Sequence, residues 1–267
     1  MTDATASAER TEFRYLDIDD RGAIAVVSFN RPPVNAVDTE MCHEITALFG
    51  RLDEFLPRVR VIVLRGEGPH FCAGHDFLEF KNLTPENAPG QQRLVRNAFA
   101  SVYDCPVPIV AAVHGVAVGT GVALAACCDT IVCAAGTRLG VPEVSIGVAG
   151  GAKHMRRLAP EHLMRTLYFT AGTATAEELL PYGGIYAVVP QDELLDTALE
   201  IAERMAVHSR AVLRHAKESL NTIEYNMDLK AGYEAEQRIT VRLTAHPDSL
   251  EARNAAFERR KPEFSQS

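Results

Sequence analysis

The sequence predicts an α/β fold of buried strands and helices, followed by a helical C-terminal region. Three observations predict it. Strand-like runs at Ala23–Asn30, Val59–Arg65 and around Ile109 and Ile131 are interspersed with helical spacing at Asp38–Phe55, the order of layered α/β proteins. Between Cys105 and Gly150 only Asp129, Arg138 and Glu143 are charged, three of 46 residues, so this stretch belongs inside. From Gln191 onward 25 of 77 residues are charged, and Leu194, Leu195, Ala198, Leu199, Ile201, Ala202 and Met205 recur at helical spacing. A core over 1–195 and an amphipathic helical region over 196–267 follow.

The first ten residues, Met1 to Arg10, are small and polar and read as a frayed tail without an export signal. From Cys105 to Cys128 there are 24 residues without Asp, Glu, Lys or Arg, enough to span a bilayer. Pro106, Pro108, His114, Gly115, Gly119, Thr120 and Gly121 interrupt that run. It therefore reads as a strand (Val107–Val113), a glycine loop and a buried helix from Gly121, with no membrane span. The 27 Lys and Arg against 35 Asp and Glu give a net charge of −8. The longest basic run is Arg259-Arg260-Lys261, which argues against nucleic acid as a partner. Six cysteines without a C-x-x-C pair point to reduced thiols and a cytoplasmic setting.

Familiar glycine and histidine motifs fail by position. A dinucleotide fingerprint starting at Gly119 and Gly121 would need glycine at Leu124, and no G-K-[ST] tripeptide occurs. A nucleophile elbow around Ser145 would need glycine at Glu143. No H-E-x-x-H is present, so no metal site is expected.

Two glycine-bearing turns remain. Phe71-Cys72-Ala73-Gly74-His75-Asp76 follows a strand, with Asp76 poised to cap the next helix, and Gly115–Gly121 ends at a helix N-terminus. Backbone N–H groups at such ends lack partners within the helix and point outward, so two of them can share one oxygen. Each donor aimed at a developing oxyanion contributes about 3 kcal/mol in acyl chemistry. The plainer reading is that these glycines only permit tight turns.

The chain resembles the crotonase, or enoyl-CoA hydratase/isomerase, superfamily. The resemblance rests on Asn30–Val37, Phe71–Asp76, Pro108–Asp129, Pro142–Gly147 and Glu251–Pro262, in family order and spacing over nearly the whole chain. It implies a crotonase-like spiral of ββα units and a C-terminal helical region that builds a homotrimer or a dimer of trimers. It also implies an acyl-CoA substrate, with coenzyme A as part of the substrate and no separate cofactor. The implied oxyanion hole is the backbone N–H of His75 and of Thr120, where the family usually has a small residue and a glycine. Substrate and coenzyme A contacts are implied for Asn35, Ala36, Val37, Ala73, His75, Asp76, Phe77, Gly119, Thr120, Pro142 and Lys261. Arg31 and Arg156 are further candidates for phosphate contact, although solvated surface arginines are commoner. Asp129 resembles a structural aspartate of the family.

The number of carboxylates bears on the reaction. Hydratases of the family use two glutamates; here one is Glu143 and the other position is Ala123. A single base beside an oxyanion hole suffices to move a proton from the α to the γ carbon of a 3-enoyl thioester. The resemblance therefore implies 3-enoyl-CoA to 2-enoyl-CoA isomerisation with Glu143 as acid/base. The alternatives are an enoyl-CoA hydratase whose water is held by another group such as His154, and a catalytically silent acyl-CoA binder. Lys153 and His154 stand where the family shows a glycine pair. His75 and His154 are alternative proton carriers, since imidazole titrates near neutrality.

Overall fold

The computed structural model describes residues 13–81, 84–224, 238, 240–242, 245–258 and 260–265. The tail at Met1–Arg10 and Arg259 of the basic run lie outside them. The chain opens with a hairpin of β1 (Leu16–Asp20) and β2 (Ile24–Phe29). Next come α1 (Thr39–Gly50), α2 (Leu52–Phe55) and β3 (Val61–Gly66). Asp38 caps α1 by accepting the Met41 N–H at 2.9 Å, which explains where the helix starts. The helical spacing over Asp38–Phe55 corresponds to two helices, because Arg51 leaves the helical conformation at φ −125°.

Beyond β3 lie α3 (Phe77–Lys81), α4 (Ala88–Tyr103), β4 (Ile109–Val113), β5 (Val116–Val118) and α5 (Thr120–Cys127). The expected glycine loop thus contains a short strand, and α5 begins one residue before Gly121. β6 (Thr130–Ala134), β7 (Arg138–Gly140), a 3-10 turn at Pro142–Ile146, α6 (Ala152–Met155) and α7 (Glu161–Phe169) follow. The chain continues through β8 (Thr173–Thr175), α8 (Ala176–Leu179), β9 (Ala187–Val189), α9 (Leu194–Ala206), α10 (Arg210–Ile223) and α11 (Pro247–Glu258).

Six strands form one sheet in the order β1-β2-β3-β4-β6-β9, parallel except for β1. β5, β7 and β8 form a second, smaller sheet. Every residue of β2 and β4 is buried, as expected for parallel strands covered on both faces. Alternate residues serve the two faces. Val27, Phe29, Ile62, Leu64, Ile109 and Ala111 join a core with α1, α4 and α5, whereas Val26, Val63, Val110 and Val132 pack with Leu194, Ala198, Ile201 and Ala202 of α9. The division expected at 195/196 therefore falls inside α9, and that helix covers one face of the main sheet. No helix among the described residues is long and apolar enough to cross a membrane.

One close approach positions the functional region. A Cβ on Gly121 would lie 2.1 Å from the Cys72 carbonyl oxygen, so only glycine lets α5 meet the Phe71–Asp76 turn this closely. Isolated parallel bridges pair Cys72 with Ala117 and Val37 with His75. Three segments far apart in sequence are thereby joined at one point.

Candidate active site

The two glycine-bearing turns meet around Glu143. His75, Gly119, Thr120 and Glu143 line two adjoining cavities. The outer one, about 210 Å³, is also lined by Ala73, Gly74, Phe77, Val118, Pro142, Ser145 and Ile146. The inner one, about 70 Å³, is bounded by Gln91, Val95, Phe99, Ala123 and the Val148–Gly151 loop. Exposed Phe77 and Ile146 give the outer cavity an apolar rim.

Thr120 is the first residue of α5, so its N–H has no acceptor within the helix. The Val37–His75 bridge uses groups that flank His75: Val37 N–H donates to Gly74 O and Asp76 N–H donates to Val37 O, each at 2.8 Å. His75 and Thr120 thus line the same two cavities. The Asp76 carboxylate accepts the Leu78 N–H at 2.9 Å, consistent with its expected capping role.

Glu143 rises from the 3-10 turn that Pro142 opens. Val148 N–H donates to the Glu143 carbonyl at 3.1 Å and fixes the turn. Glu143 Oε2 is buried and has no hydrogen-bond partner among the described residues. Burial pushes the Glu143 carboxyl above the usual carboxylate range. Ala123 faces the same inner cavity, so one carboxylate serves it.

His75 belongs to a network that its sequence neighbours did not reveal. Its Nε2 lies 2.9 Å from Glu79 Oε2, and its side chain is 3% exposed. Glu79 also accepts from Thr39 N–H at 2.9 Å and from Gln91 Nε2 at 2.8 Å, tying α1, α3 and α4 together. Burial lowers the His75 pKa against the opposing pull of Glu79, which favours neutral imidazole. Because carboxylate only accepts, Nε2 carries the proton toward Glu79.

Other expected contacts are placed differently. Asn35 is 2% exposed, and its amide donates to the carbonyls of Glu67 at 2.8 Å, His70 at 2.9 Å and Phe71 at 3.3 Å. Its Oδ1 accepts Arg31 N–H. The Asn35 side chain is therefore consumed in holding two turns together and is not turned toward a ligand. Arg31 reaches Asp38 at 2.9 Å, Asp76 at 2.6 Å and the Ala36 carbonyl at 2.8 Å, an internal clasp. Ala36 and Val37 contribute backbone to these turns. Arg156 pairs with Glu161 at 3.2 Å. Lys261 is exposed and lines neither cavity. Asp129 accepts from Ile109 N–H and from buried Lys217, each at 2.8 Å, in a structural role. His154 does not reach the Glu143 cavities; it stacks edge-on against Phe99, centroids 5.1 Å apart, in a separate cavity.

The sequence over residues 19–267 matches the family model described as enoyl-CoA hydratase/isomerase. The chain belongs to the enoyl-CoA hydratase/isomerase family. It is 40% identical to the (7aS)-7a-methyl-1,5-dioxo-2,3,5,6,7,7a-hexahydro-1H-indene-carboxyl-CoA hydrolase of Rhodococcus jostii, covering 91% of this chain and 94% of that protein. The Mycobacterium tuberculosis protein of that name is 37% identical over 87% of this chain and 94% of its own length. A short-chain-enoyl-CoA hydratase of Clostridium acetobutylicum is 29% identical, covering 94% and 98%. Among solved structures, an enoyl-CoA hydratase subunit from Geobacillus kaustophilus matches at TM-score 0.87 and 30% identity, covering 96% of this chain and 100% of that one. As a member of this family, the chain acts on coenzyme A thioesters; its crotonase fold agrees with its solved relatives.

Proposed function

We propose that this chain converts its acyl-CoA thioester through an enolate, with the thioester oxygen held by the N–H groups of His75 and Thr120 and protons moved by Glu143. The carrying observation is the Glu143 carboxylate, which lines both cavities with His75 and Thr120 and has an oxygen without a partner among the described residues. A base with a raised pKa remains able to exchange protons near neutrality.

For the reaction itself, we propose hydrolytic carbon–carbon cleavage of a ring ketone β to the thioester. Two relatives support hydrolysis of a ring-ketone thioester, since both are named as hydrolases of a dioxo-hexahydroindene carboxyl-CoA. Glu143 takes a proton from water as its oxygen adds to the ketone carbon. The bond to the α carbon then breaks, and its electron pair becomes the thioester enolate. Glu143 returns the proton to the α carbon, leaving a carboxylic acid and an intact thioester. One carboxylate is enough for this cycle. A second reading is isomerisation of a 3-enoyl thioester, favoured by apolar Ala123 in the inner cavity, where a hydratase of this family would carry its second glutamate. Like its relatives by resemblance, the chain is proposed to assemble as a trimer or dimer of trimers, which sedimentation would test.

The experiment incubates the protein with 2-oxocyclohexanecarboxyl-CoA and with 3-hexenoyl-CoA in ¹⁸O water. Heptanedioyl-CoA carrying ¹⁸O, without free thiol, is the expected product, and Glu143→Gln should abolish it. Clean 2-hexenoyl-CoA with no ring opening would move the assignment to the isomerase. Release of free coenzyme A, or hydration of separately supplied 2-hexenoyl-CoA to the 3-hydroxyacyl thioester with no turnover of the other two substrates, would overturn both. Binding of both thioesters without turnover would identify a silent binder.

A further inference from the structure

A third cavity continues the line of the first two. It is about 300 Å³ and is lined by Arg96, Phe99, Cys127, Lys153, His154 and Arg157, among others. Three elements line both this cavity and the inner one. Ala123 of α5 faces the inner cavity and Cys127 the third; Gly151 and Lys153–His154 stand in the same relation around α6; Val95 on α4 leads to Phe99, which both share. Four residues of helix advance roughly 6 Å. The third cavity therefore lies one helical turn beyond the inner one, with the Phe99 ring between them.

Its chemistry differs from that of an alkyl pocket. His154 Nδ1 is buried and has no hydrogen-bond partner among the described residues. Burial, with Arg157 and Lys153 nearby, holds the His154 imidazole below its ordinary pKa and so neutral. Arg157 is engaged by Glu224 at 3.0 Å. Arg96 stands at the exposed side, and Asp104 and Glu224 also line the space. A buried polar nitrogen left unmatched is costly unless a ligand satisfies it. The inner cavity, at about 70 Å³, is much the smaller of the two.

We propose that the acyl group extends past Phe99 into this third cavity, that neutral His154 carries its proton on Nδ1, and that the far end of the acyl group is an oxygen acceptor, a ketone or a carboxylate, bound by His154 Nδ1–H and Arg96. The inference deepens the acyl-CoA reading above and rests on it. It makes Phe99 and His154 specificity-determining residues, and it selects long or polycyclic acyl groups oxidised at both ends over short alkyl chains.

Equilibrium binding tests it with butyryl-, octanoyl-, 7-oxooctanoyl- and octanedioyl-CoA on the full chain. The 7-oxooctanoyl or the octanedioyl thioester should bind about tenfold more tightly than octanoyl-CoA, the scale of one added hydrogen bond. Whichever of the two is preferred identifies ketone or carboxylate. His154→Leu should remove most of that preference. Arg96→Met, at an exposed helix position, should weaken it without disturbing the core. Equal affinity for all three eight-carbon thioesters, or an undiminished preference in both variants, would overturn the proposal while butyryl-CoA binding left the acyl-CoA reading standing. Failure to bind any thioester, butyryl-CoA included, would overturn both.

Discussion

Glu143 Oε1 lies 3.0 Å from the point where a Cβ on Gly119 would stand. Gly119 also has φ +55°, outside the range that side-chain-bearing residues favour. Gly151 makes a similar approach, its would-be Cβ 3.2 Å from the same oxygen. The carboxylate is thus lodged between two bare stretches of backbone, and its position depends on both remaining bare.

Gly119→Ala should displace the carboxylate and strain the turn before α5. A cost of about 1–3 kcal/mol in stability is expected from the backbone alone. Activity should fall further than that loss explains, because Thr120 N–H moves with residue 119. Urea unfolding beside steady-state kinetics separates the two effects.

Glu143 also sets a pH dependence. Its folded pKa is raised, so the ionised form is the penalised one. The associated stability is fully present below the unfolded pKa and is lost as pH rises through the folded value. The reactive base is the ionised form, so kcat/KM should fall as pH drops through that raised value, above where an ordinary glutamate titrates. Glu143→Gln should lose about 10²–10⁴-fold in kcat, abolish that acid limb and raise Tm at neutral pH. A lowered Tm would mean that the carboxylate is a structural anchor.

Asn35→Ala should be costly although the residue lies in a surface-facing turn segment. It would strand the carbonyls of Glu67, His70 and Phe71, which the Asn35 amide now satisfies. About 3 kcal/mol is expected from chemical denaturation. Binding of butyryl-CoA to the folded fraction should persist, since the side chain faces the two turns.

Lys217 is 4% exposed and bonds to Asp129 at 2.8 Å and to the Val107 carbonyl at 3.2 Å. Lys217→Ala should cost about 1–3 kcal/mol, because the buried Val107 carbonyl loses its donor, whereas the Asp129 carboxylate keeps the Ile109 N–H and contact with solvent. The double variant with Asp129→Asn should be less destabilised than the sum of the two. Strict additivity in that cycle would show that the two groups do not interact.

Much of this arrangement is legible in the sequence where the cause is local. Asp38 announces α1, the uncharged stretch after Cys105 announces the core, and Pro142 announces the turn that bears Glu143. What was not legible depends on packing between distant segments. Glu79 and Gln91 sit on separate helices and meet only when α3 and α4 fold over the His75 turn. His154 is three residues beyond Gly151 in sequence, yet α6 carries it to the far side of Phe99. Asn35 has a backbone reason for its place: its φ is +55°, and asparagine is among the few non-glycine residues that tolerate that conformation. A turn asparagine in a buried setting points inward as readily as toward a ligand.

All six cysteines are buried as free thiols, and burial pushes Cys105 up to about 11 and Cys42, Cys72, Cys127 and Cys133 up to about 12. Thiolate is the reacting species, so the native chain should be nearly silent toward a chromogenic disulfide reagent at neutral pH. Coenzyme A released by any competing thioester cleavage can then be counted continuously in the presence of the protein. The same silence turns the cysteines into an internal clock: the rate at which six equivalents become reactive reports how often the whole core opens.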